Sequence, residues 1–106
     1  MTEFDSVIDL ALIDVNDYRL RKLYDKDIDG FKRYCDGFLI RAVQDFKDCR
    51  QDLAYDTETR TFESDLTQTE QKILAYLWAV HWYLKDNQTY ALYRIHLQNS
   101  GSFKNH

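Results

Sequence analysis

The stretch Asp52–Leu84, DLAYDTETRTFESDLTQTEQKILAYLWAVHWYL, decides the fold class. It opens with a polar hairpin signal, passes into a helix start, and ends in twelve residues, Ile73 to Leu84, without one formal charge. Thr67-Gln68-Thr69-Glu70 has the spacing of a capping box, in which the threonine hydroxyl accepts from the backbone N–H three residues on and the glutamate reaches back. The helix it starts is expected to run to about Asp86, with Ile73, Leu74, Leu77, His81 and Leu84 on one face and Tyr76, Trp78, Val80, Trp82 and Tyr83 on the others. A helix apolar all round must be buried all round. A membrane span needs about 20 apolar residues, and this run is well short of that. Part of its cover is therefore expected from another copy of the chain. Upstream, residues 53–63 read as a short β-hairpin or extended loop, with Tyr55, Thr59, Thr61 and Phe62 favouring strands around the polar DTET.

Further towards the N-terminus, FDSVIDLALI (4–13) fits a helix through Val7, Leu10 and Ala11 and a strand through Ile8, Leu10 and Leu12, so its period does not decide. Asn16 or Asp17 can cap a short helix carrying Tyr18, Leu20, Leu23 and Tyr24, and Asp27 can cap the next, about Ile28 to Phe46. That helix has one apolar stripe (Ile28, Phe31, Cys35, Phe38, Leu39, Ala42, Val43, Phe46) and two i,i+4 pairs on its wet side, Lys32–Asp36 and Arg41–Asp45. Gly37, inside it, costs about 1 kcal/mol relative to alanine, which points either to tolerance or to close approach of a neighbouring backbone. Downstream, Asn87 marks a break, 88–98 lean to helix, and SGSFKNH is a polar tail. The expected architecture is mainly α: a small bundle of about four helices with the hairpin near 53–63, one domain over 1–99 and a tail over 100–106.

The chain is acidic, with 14 Lys and Arg against 18 Asp and Glu. Residues 1–65 hold 16 of the acids and 10 of the bases. No basic stripe favours tight nucleic-acid binding. Tyr, Phe and Trp make up 15% of the residues, and such side chains suit half-wet contacts. Cys35 and Cys49 form no ligand pattern and read as reduced core thiols. MTEFDS lacks the positive region of a signal peptide.

Asp25-Lys-Asp-Ile-Asp-Gly30, with Asp36 at the twelfth position, matches the start of a calcium loop. Against it stand the short aspartate at position twelve, β-branched Ile28, and Lys32 and Arg33 within the loop. His81 and His96 read as core or interface imidazoles, and no nucleophile elbow, phosphate loop, zinc-protease or dinucleotide motif occurs. We therefore expect no catalytic, cofactor-binding or metal residues and no enzymatic activity. Ile73, Leu77, Trp78, Trp82 and Tyr83 are expected in the buried helix and part of its subunit contact, with Tyr90, Tyr93 and Phe103 in partner contacts.

The order of segments — LALI, DYRLRKLY, GFKRYCDGFLIRAVQDF, LAYDTETRTFESDLTQTEQKILAYLWAVHWYL and SGSFK — resembles the small head–tail connector or adaptor (head completion) proteins of tailed bacteriophages. The resemblance covers nearly the whole chain and is most specific over YDTETRTFESDLTQTEQKILA and the Trp-bearing helix. It implies a helical-bundle homo-oligomer, a ring commonly of twelve copies, in the neck of the virion between portal and tail. Such a ring is assembled in the bacterial host cytoplasm, extends the DNA channel without binding DNA specifically, and is a platform for the next neck or tail protein. It implies no enzyme, cofactor or membrane. Relatives of that kind often continue past the S-x-FK segment into another helix, which puts a portal-contacting tail in doubt here. A generic helical adaptor or regulator domain is the alternative, with a calcium module at Asp25–Asp36 behind it.

Overall fold

The capping box forms as its spacing requires. Thr67 Oγ1 accepts from Glu70 N at 3.1 Å, and Glu70 Oε1 accepts from Thr67 N at 2.8 Å. Helix α4 runs from there through Gln68–Ser100, 33 residues, about 50 Å at 1.5 Å per residue. The expected break at Asn87 is absent, because an asparagine costs a helix interior only a fraction of a kcal/mol. This computed structural model describes the backbone of residues 1–100 and the side chains of residues 1–85.

Three helices precede α4: α1 (Phe4–Asp14), α2 (Tyr18–Lys26) and α3 (Ile28–Asp45). The ambiguous N-terminal segment is helical because Phe4, Val7, Ile8 and Ala11, spaced by three and four, all enter the core. Asp17 caps α2, its side chain accepting from Arg19 N at 2.7 Å. Asp27 caps α3 through Gly30 N at 3.0 Å. A side chain at Gly30 would collide with that capping carboxylate, a Cβ falling 2.4 Å from Asp27 Oδ2.

Three two-residue strands close one end of the bundle. The expected hairpin is β2 (Tyr55–Asp56) and β3 (Thr61–Phe62), and a strand not expected from sequence, β1 (Thr2–Glu3), pairs on the far side of β3. Both pairings are antiparallel, with Thr2 and Tyr55 flanking Phe62. Arg60 ends the turn at φ 57°, the left-handed region. Its carbonyl accepts from Phe4 N at 2.9 Å, and its guanidinium forks onto Asp36 at 2.8 and 2.7 Å while also pairing with Asp5. One residue thus ties hairpin, α1 and α3 together.

The core lies where α4 packs on α1 and α3. It collects Phe4, Val7, Phe38, Leu39, Phe62, Leu74 and Trp78 with their smaller neighbours. Among the described residues no buried side-chain nitrogen or oxygen lacks a hydrogen-bond partner.

Candidate protein interface

Helix α4 is apolar on two opposite faces. Leu74, Ala75, Trp78, Ala79 and Trp82 face the core. Ile73, Tyr76, Tyr83 and Leu84 are exposed, and Leu77 and Val80 are half-buried between them. Offsets of 0, 3, 4, 7, 10 and 11 residues place this second set on a single stripe, turned away from the core except at its edge, where Leu77 packs against the core. The grouping expected from sequence, which put Ile73 and Leu84 with Leu74, is corrected. With no polar residue to mark an outer side, the two indoles, as the bulkiest side chains, take the inner one.

Trp78 is 0% exposed and Trp82 8%. The Trp78 indole N–H donates to the Cys35 carbonyl at 2.8 Å, and its ring tilts against Phe38 at 5.3 Å. The Arg19 guanidinium lies 5.9 Å over the Trp82 ring. Both indoles are therefore sheltered by their own chain and have almost no surface left for a neighbour. They therefore do not offer the surface that a subunit contact needs; of the others expected there, Ile73 and Tyr83 are exposed on the outward stripe and Leu77 is half-buried against the core, while Tyr76 and Leu84, not expected, are exposed beside them. Tyr90, Tyr93 and Phe103 lie outside the residues whose side chains are described.

Two ion pairs expected along α3 are replaced by longer-range ones. Asp36 is engaged by Arg60 rather than Lys32. Asp45 meets His81 Nε2 of α4 at 2.5 Å rather than Arg41. His81, expected as a core or interface imidazole, is half-buried with a hydrogen-bond partner of its own chain 36 residues away. Arg41 is left lying 5.5 Å over the Phe38 ring.

These exchanges shape a groove of about 730 Å³ between α3 and α4. Arg33 and Arg41 on α3 and Lys85 on α4 line it, over an apolar floor of Tyr34, Phe38 and Leu84. The Lys85 ammonium sits 5.4 Å over the Tyr34 ring. Gly37 also lines it, and a Cβ there would meet nothing within 4 Å. Among the described residues no neighbouring backbone makes the close approach entertained for this glycine. It leaves the middle of the groove unobstructed. Sequence reading missed the groove because its cations look like one wet helix face until α4 is laid beside them.

The remaining candidate chemistry is structural in placement. Residues 28–36, which a calcium loop would need in turn conformations, are helix, and among the described residues no three His, Cys, Asp or Glu side chains are grouped to hold a metal. Both cysteines are free. Burial pushes the Cys35 thiol up to about 12 and also raises that of Cys49, whose Sγ donates to Glu70 Oε2 at 3.4 Å. Among the described residues no helix is long and apolar enough to cross a membrane. Comparison with protein-family models, with curated proteins and with solved structures finds no match to this chain.

Proposed function

We propose that this chain is a structural subunit of a phage neck. Copies form a ring, of about twelve by the resemblance, between portal and tail, where it extends the DNA channel and carries the next neck or tail protein. The observation that carries the reading is the outward stripe of α4. Ile73, Tyr76, Leu77, Val80, Tyr83 and Leu84 give a second apolar face to a helix whose core face is already filled. Covering apolar surface stabilises by about 25 cal/mol per Å², so a face of this kind favours a permanent neighbour. The net charge of −4 suits a channel through which DNA slides, since like charges repel.

The test is to mix the purified protein with portal rings from the same phage and image the product by electron microscopy. The expected result is an added ring of density below the portal, lost in a Tyr76→Lys/Tyr83→Lys double variant that keeps its helical circular dichroism. Portal rings with no added density, at protein in large excess, would overturn the reading.

A further inference from the structure

The α3–α4 groove has a complement elsewhere on the same molecule. Where α2 meets α3, Tyr24, Asp25, Asp27, Ile28 and Asp29 are all exposed and form an acidic, partly apolar corner, in which Lys26 is the one cation. Tyr24 and Ile28 are 50% and 45% exposed. Asp25 and Asp29 enter no ion pair among the described residues. The groove presents the opposite charge on a similar apolar ground. Neither Arg33 nor Arg41 has a carboxylate in ion-pair range among the described residues, the nearby Asp45 being held by His81 at the rim, where it offsets part of the positive charge. Corner and groove share no residue and adjoin along α3, where Asp29 and Arg33 lie one turn apart. A self-complementary pair of distinct surfaces makes a head-to-tail contact, which closes into a ring or runs on as a filament. The apolar ground under the cations favours a folded protein surface over a phosphodiester backbone, which would leave Tyr34 and Leu84 facing charged oxygens.

We propose that the acidic α2–α3 corner of one copy seats in the basic α3–α4 groove of the next, with Asp25 and Asp29 meeting Arg33 and Arg41, and Tyr24 and Ile28 covering Tyr34 and Leu84. This rests on the ring reading and names the surfaces that would join its subunits. Leu84 belongs both to the groove and to the outward stripe of α4, so groove and stripe form one continuous side of the subunit.

Charge exchange tests it. An Arg33→Glu/Arg41→Glu variant has an acidic groove and an acidic corner. An Asp25→Lys/Asp29→Lys variant has a basic groove and a basic corner. In sedimentation velocity, and in concentration-dependent amide shifts up to about millimolar, each alone is expected to associate at least tenfold more weakly than the wild type. An equimolar mixture is expected to recover association, because each variant's groove then matches the other's corner. All four substituted positions are exposed and outside the core, and circular dichroism checks that both variants fold. Variants that associate as the wild type does, or a mixture no better than its parts, would overturn the contact and leave the neck reading standing. A wild type with no concentration-dependent shifts at residues 24–29 and 33–41 would also overturn it. The neck reading would then be judged by the portal experiment alone.

Discussion

Trp78 shows what one residue carries in so small a core. Its indole is fully enclosed, tilted on Phe38, and hydrogen-bonded to the Cys35 carbonyl. Trp78→Phe keeps most of the volume and loses the indole hydrogen bond, about 0.5–1.5 kcal/mol, because the Cys35 carbonyl lies inside α3 and keeps its helical N–H donor. Trp78→Ala opens a cavity as well and costs about 3–5 kcal/mol, a large share of the roughly 5–15 kcal/mol that such a domain commands. Tyr76, 69% exposed on the opposite face of the same helix, should cost no more than about 0.5 kcal/mol when changed to alanine. Urea unfolding followed by circular dichroism checks the order. Equal losses at Trp78 and Tyr76 would contradict the assignment of inner and outer faces. Arg60 carries a different load: forked on Asp36, whose hydrogen bonds hold the guanidinium more firmly in its charged form, it also pairs with Asp5 and so joins the hairpin to α3 and α1.

At the scale of elements, the first turn of α4 joins the helix to the loop before it. Glu70 accepts from Thr67 N and from Gln51 Nε2, and these hydrogen bonds, the backbone one first, hold its carboxyl below the usual carboxylate range. A carboxylate whose folded value is depressed contributes stability above its unfolded value, about 4.3, and loses it as pH falls through the folded one. Wild-type urea midpoints should therefore decline below about pH 4.5. Glu70→Gln should start lower at neutral pH, decline less, and converge with the wild type in acid. Parallel curves would remove Glu70 from the account. This turn was legible in sequence because its chemistry is local, as were the Asp27 cap, the α3 stripe and the DTET turn. Interactions set by distant partners were not. Strand β1 is two residues held by Phe62 and Thr61, sixty positions away. Lys32–Asp36 and Arg41–Asp45 satisfied the i,i+4 rule, yet Arg60 and His81 took the acids. The inner side of α4 could not be read because its uncharged run has no wet face to orient it.

For the whole molecule, the two surfaces proposed to join copies, the α4 stripe and the corner-in-groove contact, respond differently to salt. The outward stripe of α4 is apolar, and its association should be nearly indifferent to ionic strength or slightly favoured by it. The proposed corner-in-groove contact would join exposed charges, each pair contributing about 0.2–1 kcal/mol, and screening shortens their reach from about 14 Å at 50 mM salt to about 4 Å at 500 mM. Two or three such pairs sum to roughly 1 kcal/mol, which corresponds to about a fivefold change in association constant. Raising sodium chloride across that range should therefore weaken wild-type self-association severalfold in sedimentation velocity. The Arg33→Glu/Arg41→Glu variant should respond in the opposite direction, since salt screens its repulsion. Association that is unchanged or tighter in high salt for the wild type would place the contact on the stripe alone. On the proposed neck reading, the acid-rich first 65 residues would then serve to repel DNA in the channel rather than to join copies to one another.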